Sequence, residues 1–326
     1  MRVLSGTQPS GKLHIGNYFG AMRQYVELQE KGHECLYFIA NYHALTSVSD
    51  AETMKDNTLE VARGYLAVGI DPQRSIFFRQ SDVPEVCELA WILSCVTPMG
   101  LLQRCVSYKD KVEQGLLPNH GLFAYPVLQA ADILIYHSHL VPVGQDQKQH
   151  LEITRDIAIK FNNTYGEVLR VPEPYILKES AVVPGVDGRK MSKSYDNTLE
   201  LFEDPKVTKK RIMKIKTDST PIEDPKDPDN CTVFALLSLF ADDKETEQWR
   251  QNYQTGGMGY GQAKKRLAQL TDERLGPFRQ KYHELVSNVD YVEDVLRDGG
   301  VKARQIACEL MENVRSATGI VTSPKK

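Results

Sequence analysis

Apolar positions along this chain change period in a regular order. Val3 and Leu4 make a short apolar run that breaks into Thr7-Gln8-Pro9-Ser10-Gly11, a turn-forming stretch. From Ile15 to Leu28 the apolar residues return at helical spacing, at Ile15, Phe19, Met22 and Val26. Residues 35–40 (CLYFIA) form a continuous apolar run, as expected of a buried parallel strand. A helical pattern over 52–68 stops at Gly69, a short strand follows over 75–78, and a helix over 84–96 carries Trp91 and Cys95 on its apolar side. The stretch 125–136 (YPVLQAADILIY) is apolar except at Gln129 and Asp132, with Pro126 placed to open the helix. A strand over 140–143 leads to a helix over 148–161, with Leu151, Ile153, Ile157 and Ile159 among its apolar positions. Strands alternating with helices predict an α/β fold built on a doubly wound parallel sheet. Past residue 205 the pattern is helical only, over 207–216, 233–241, 261–287 and 291–317, which predicts a smaller all-helical region.

Polar clusters fall where the apolar strands end, the ligand-bearing edge of an open α/β sheet. After the first strand, the glycine-bearing turn runs into a helix whose free N–H groups and dipole favour an anion. His14 stands at its mouth, and Gly16 leaves space where a bulky side chain would block a nucleotide. Many α/β proteins begin this way, and His14 alone fits a surface residue better than a catalytic one. Asn41-Tyr42-His43 follows the second strand and Gln80-Ser81-Asp82 the third. Gly144-Gln145-Asp146-Gln147 follows the next, where Gly144 allows close backbone approach and Asp146 offers acceptors to ribose hydroxyls. Gln129 and Asp132, three apart, share one helical face. Burying that carboxylate is costly without a donor. Asp132 is therefore either a core aspartate satisfied by the protein or one that receives a donor from a ligand.

The stretch 188–194 (GRKMSKS) places Lys190 and Lys193 three apart with Ser192 and Ser194 beside them, between glycines and Asp196-Asn197. A surface loop with two cations and two hydroxyls suits a polyphosphate whose charge grows during reaction. A bare K-x-x-K would read as a solvated basic turn. The 326 residues, 41% hydrophobic and 25% charged, are ordinary for an enzyme of one large domain and a smaller one. A net charge of −3 argues against a generally basic nucleic-acid coat. The basic run 207–216 (VTKKRIMKIK) is either a solvated helix face or a local phosphate contact. No apolar run reaches the length of a membrane span, and the N-terminus turns polar before a signal-like core forms, which argues against export. Cys35, Cys87, Cys95, Cys105, Cys231 and Cys308 contain no C-x-x-C pair, which argues against a metal cluster or disulfide scaffold and for a reducing cytoplasm.

In order along the chain, these stretches resemble the tryptophanyl-tRNA synthetases of the bacterial type, class I aminoacyl-tRNA synthetases. Residues 5–17 (SGTQPSGKLHIGN) are similar to that family's form of the HIGH signature, here His14-Ile15-Gly16-Asn17. Lys190-Met191-Ser192-Lys193-Ser194 matches the second class I signature unchanged. Residues 141–150 (VPVGQDQKQH) are similar to the segment between them, 130–134 (AADIL) to the tryptophan-recognition helix, and 257–261 (GMGYG) to part of the helical domain. Gln145 stands where an acidic residue is usual, and Gln129 where methionine is. Gln129-x-x-Asp132 is also similar to the amino-acid site of tyrosyl-tRNA synthetases, whereas the N-terminal stretch, N-Y-H-A-L-T at 41–46 and K-M-S-K-S favour the tryptophan branch.

The resemblance implies a Rossmann-like catalytic domain over 1–200, a helical anticodon-binding domain over 205–295, and a C-terminal helix over 296–326 returning to the catalytic domain. It implies ATP-dependent activation of L-tryptophan to tryptophanyl-adenylate, then transfer to tRNA(Trp). His14, Asn17, Lys111, Lys190 and Lys193 would act on the phosphates, with Gln8, Gly16, Gly144, Asp146, Gln147, Met191, Ser192 and Ser194 binding ATP. Ser5, Gly6, Gln8, His43, Tyr125, Gln129, Asp132, Val143 and Gln147 would hold tryptophan. Asp132 would accept the indole N–H; phenylalanine would leave it unpaired, a rejection of roughly 10⁴-fold or more that needs no editing domain. Mg²⁺ would arrive with ATP, without a metal ligated by the protein. The implied setting is a cytoplasmic homodimer, with 99–106 as a candidate interface and no membrane or DNA partner. A relative that has lost catalysis is the competing class, and it would bind ATP or tryptophan without releasing pyrophosphate. The intact His14, Asp146, Lys190 and Lys193 argue against it.

Overall fold

A computed structural model describes residues 1–105, 119–144, 148–176 and 183–320. Five strands form its sheet: β1 (Arg2–Thr7), β2 (Glu34–Ile39), β3 (Ser75–Arg79), β4 (Leu140–Val143) and β5 (Glu173–Ile176). Their order is β3-β2-β1-β4-β5, with every neighbouring pair parallel. β5 escaped the sequence reading because Pro174 interrupts its pattern, which the sheet tolerates on an edge strand.

Alternation along β1–β3 divides the core between two faces. Val3, Cys35, Tyr37, Ile39 and Phe77 enter one cluster, and Leu4, Leu36, Phe38 and Phe78 the other. Gly6 pairs with Phe38, and a Cβ on Gly6 would stand 2.3 Å from the Phe38 ring. Only glycine fits beneath that ring.

The first helical stretch is not uniform. It comprises α1 (Ile15–Asn17), a π-turn over Tyr18–Met22, and α2 (Arg23–Glu30). The wider turn buries Tyr18 and Met22, and it brings Tyr18 against Phe278 and Phe19 against Phe240. A short α3 (Asn41–Ala44) follows β2. In α4 (Ala51–Val68), Asp50 accepts from the Thr53 N–H at one end, and at the other Gly69 takes φ 117°, where the sequence predicts the helix to stop.

Three expectations change. In α5 (Glu85–Ser94) the buried stripe is Val86, Leu89, Ile92 and Leu93. Trp91 is 72% exposed and Cys95 is exposed, because at about 100° per residue both fall on the opposite side of the helix. After α6 (Met99–Gln103), α7 runs His120–Leu134 and contains Pro126 instead of starting at it. Asn119 caps this helix by accepting from the Leu122 N–H at 2.8 Å, so the start lies upstream of the proline. In α8 (Lys148–Tyr165) Ile159 is exposed, while Leu151, Ile153 and Ile157 are buried.

The helical region comprises α9 (Pro205–Met213), α10 (Thr232–Phe240), α11 (Asp243–Thr255), α12 (Tyr260–Val286) and α13 (Val289–Thr318). It shares one apolar cluster with a face of the sheet, from Val3 through Leu267 to Leu296. Phe202 stacks on Tyr282 with ring centres 4.1 Å apart, and Arg274 donates to the Tyr18 hydroxyl at 3.2 Å. α13 continues without a break through 295–296, the position at which the resemblance implies a domain boundary. It lies along β3, and Arg304–Glu85 and Arg315–Glu88 ion pairs tie it to α5.

Candidate active site

The two signature stretches are stitched together by backbone hydrogen bonds. The Ile15 N–H donates to the Leu199 carbonyl and the Leu201 N–H to the Leu13 carbonyl, both at 2.9 Å. This brief antiparallel contact sets His14 opposite Glu200. It brings residues nearly two hundred positions apart to the carboxyl end of β1. From the loop, Lys193 Nζ reaches back and donates to the Ser10 carbonyl at 2.7 Å.

His14 is buried, and among the described residues its Nδ1 has no hydrogen-bond partner. Its pKa is lowered to about 4, first by desolvation and then by the Lys193 charge, with Glu200 opposing. The imidazole is therefore neutral at physiological pH. The Asn17 side-chain carbonyl accepts the His14 N–H at 2.9 Å. A Cβ on Gly16 would stand 2.8 Å from His14 Nδ1, so the glycine makes room for the imidazole. Desolvation also pulls the Lys193 ammonium below the ordinary lysine range, against the raising effect of Glu60 and Glu200.

Asn197 organises the lysine loop from within. It is 1% exposed. Its Nδ2 donates to Asp187 Oδ1 at 2.7 Å and to the Lys190 carbonyl at 3.2 Å, and its Oδ1 accepts the Ser192 N–H at 2.8 Å. A Cβ on Gly185 would collide with the Asn197 side chain at 2.2 Å. Met191 is buried in the core and anchors the middle of the loop, while Lys190, Lys193 and Ser194 are exposed. The Ser192 and Ser194 hydroxyls lie 3.0 Å apart.

Across the sheet, α7 carries Tyr125, Gln129 and Asp132. Asp132 is 2% exposed and accepts from His43 Nε2 at 2.8 Å. Gln80 Nε2 donates to both its oxygens, at 2.8 and 2.9 Å. Burial raises the Asp132 pKa, and the hydrogen bonds from His43 and Gln80 work against that rise. Of the two readings left open by the sequence, protein donors thus satisfy Asp132 in part. The Tyr125 hydroxyl pairs with His150 Nε2 at 2.7 Å, and the Tyr125 ring stands edge-on to His43. Gln129 is half-buried one turn before Asp132.

Some candidates point elsewhere. The Ser5 hydroxyl bonds to Tyr25 at 2.6 Å, on the face of the sheet opposite Leu4 and Asp132, so only its backbone faces the strand's ligand-bearing edge. Gly6 and Gln8 are exposed at the end of β1, and Gly144 is half-buried beyond β4. Lys111, Asp146, Gln147 and the Val143 side chain lie outside the described residues. Gln80 and His150 were not singled out from the sequence as site residues. Gln80 follows β3 at the same sheet edge that pointed to His43. Among the described residues, no group of three or more His, Cys, Asp or Glu is placed to hold a metal ion, and no helix is long and apolar enough to cross a membrane.

A parallel sheet wound in this order, with the two signature stretches joined at the carboxyl end of β1 and a helical region packed on one face, has the fold of the class I aminoacyl-tRNA synthetases. The family described as tRNA synthetases class I (W and Y) matches residues 1–276. The chain belongs to this family, on its tryptophan branch. It is 54% identical over 321 residues to the tryptophan--tRNA ligase of Fusobacterium nucleatum, covering 98% of each chain. It is 52% identical over 320 residues to that of Campylobacter jejuni, covering 98% of this chain and 100% of the relative. The crystal structure of the Campylobacter jejuni tryptophanyl-tRNA synthetase complexed with ADP and tryptophan superposes with a TM-score of 0.91, at 52% identity over 98% of this chain and 100% of that one. The Mycoplasma pneumoniae enzyme superposes with a TM-score of 0.82 at 28% identity, covering 99% of this chain and 98% of that one.

Proposed function

We propose that this chain joins L-tryptophan to tRNA(Trp) at the expense of ATP. A carboxylate oxygen of tryptophan attacks the α-phosphorus of ATP, the bond to pyrophosphate breaks, and tryptophanyl-adenylate forms. A terminal ribose hydroxyl of the tRNA then attacks the activated carbonyl, and AMP leaves. Neither step needs a covalent enzyme intermediate, so positioning and charge stabilisation supply the catalysis.

Neutral His14 and Asn17 lie at the helix mouth, suited to the ATP phosphates as uncharged hydrogen-bonding groups, with Gly16 beneath the adenine. Lys190 and Lys193 neutralise the charge that builds on pyrophosphate, with the Ser192 and Ser194 hydroxyls as donors. Lys111, Asp146 and Gln147 complete the set. Mg²⁺ enters with ATP, held by the phosphate oxygens. Tyr125 and Val143 wall the indole, with Gln129 beside it. The helical region supplies the anticodon contacts and α9 a basic face. A homodimer in the cytoplasm is the working assembly. Trp91, Leu45 and Met99 are 72%, 63% and 62% exposed, and large apolar side chains left in solvent suit a buried subunit interface.

The observation that carries the tryptophan assignment is Asp132, an almost wholly buried acceptor whose donors among the described residues, His43 and Gln80, stop short of filling it. The test is ATP–pyrophosphate exchange with tryptophan, tyrosine and phenylalanine in parallel. Exchange with tryptophan alone, lost in Asp132→Ala, supports the reading. Exchange with tyrosine alone would make Gln129 and Asp132 a phenol site and overturn it.

A further inference from the structure

Gln80 opens the turn Gln80–Asp82 at the carboxyl end of β3 and is 1% exposed. Its Oε1 accepts the Tyr42 N–H at 3.0 Å, which turns its NH₂ group the other way. That NH₂ meets both carboxylate oxygens of Asp132. A flipped amide would set Oε1 against the carboxylate and NH₂ against an N–H, so the main chain of Tyr42 fixes the orientation. The turn is held as well: Asn41 Nδ2 donates to Ser81 Oγ at 2.8 Å, and the Ser81 N–H donates to Asn41 Oδ1 at 3.1 Å. His43, one residue past Tyr42, gives Asp132 a second donor, on Oδ2. Among the described residues Asp132 Oδ2 thus accepts twice and Oδ1 once, which leaves Oδ1 the oxygen with acceptor capacity to spare.

From this juxtaposition we propose that Gln80 is a positioning residue that sets specificity for tryptophan: locked by the Tyr42 N–H, it holds the Asp132 carboxylate with Oδ1 presented to the indole N–H. The inference rests on the tryptophan reading given above. It explains why glutamine suits a position that the substrate need not touch. Glutamate would set one carboxylate against another. An apolar residue would leave the Tyr42 N–H unpaired and strip the carboxylate of its Gln80 bonds, with His43 still on Oδ2.

The test compares L-tryptophan with L-3-(3-benzothienyl)alanine, in which sulfur replaces the indole N–H at nearly the same shape. ATP–pyrophosphate exchange is measured with the full-length protein, wild type and Gln80→Leu. Wild type is expected to favour tryptophan. In Gln80→Leu that preference should fall about 10-fold or more, mainly through a raised KM for tryptophan, while the analogue's kcat/KM changes by less than about 3-fold. If Gln80→Leu is recovered unfolded, the near-isosteric Gln80→Met carries the same comparison. A parallel loss for both substrates would mean a merely structural role and would overturn the proposal, as would an unchanged preference. Wild-type protein that exchanges with no amino acid, or with tyrosine alone, would instead sink the functional reading and this inference with it.

Discussion

At the scale of single residues, burial sets the chemistry more than residue type does. His14 has an ordinary side chain in an unusual place, with its folded pKa lowered from 6.5 to about 4. Between those values the unfolded chain binds a proton that the folded chain refuses, so stability rises with pH through this window and is lost as pH falls from 6.5 towards 4. The stake is at most about 3 kcal/mol. His14→Gln should flatten the stability slope in urea titrations between those two pH values, and the His14 ring proton should show no NMR titration above about pH 5. A full titration near 6.5 would contradict the neutral imidazole. Asn197 is a second case. Its three hydrogen bonds hold Asp187, Lys190 and Ser192 in one loop, and no signature would single it out. Asn197→Ala should cost about 1–3 kcal/mol of stability. It should also lower kcat/KM for ATP in the exchange assay about 10-fold or more, because the lysines lose their frame.

At the scale of elements, α13 presses so closely on β3 that side chains do not fit between them. A Cβ on Gly299 would stand 1.9 Å from the Phe77 carbonyl oxygen, and one on Gly300 would stand 2.7 Å from Asp82 Cβ. Gly299→Ala should therefore destabilise the fold by about 1–3 kcal/mol, seen as a lower urea midpoint, although alanine is the better helix former. An unchanged midpoint would mean that α13 shifts freely on the sheet. The displacement should also reach the turn that carries Gln80, since Arg79 bonds both Asp82 and Glu293 of α13. The same elements mark how far the pattern alone could be read. α4 was legible at its C-terminal end, because Gly69 acts within a single turn of its helix. The buried stripe of α5 was not, since a Trp and a Cys look apolar in sequence whichever way they face. The start of α7 was misread at Pro126 because the cap at Asn119 outranks the proline, and β5 was hidden by Pro174 on an edge strand.

For the whole molecule, the distribution of charge bears on the second step of the proposed reaction. The chain's net charge is −3, yet Lys206, Lys209, Lys210, Lys214 and Lys216 are exposed on and just after α9. If this face meets tRNA phosphates, Lys209→Gln with Lys210→Gln should raise KM for tRNA and reduce the salt slope by about 1 per lysine removed, leaving pyrophosphate exchange intact. An unchanged slope would return α9 to a solvated face. The sequence by itself determined the alternation of strands and helices, the two class I signature stretches and the one carboxylate on an apolar helix. These rest on local period and on residue type, which need no partner to be read. The tertiary structure alone decided what surrounds them. Leu13–Ile15 pairs with Leu199–Leu201, Asp132 meets His43 and Gln80 from two other elements, and the helical region shares its core with the sheet. Each of these joins residues distant along the chain, and no local pattern records which distant partners will meet.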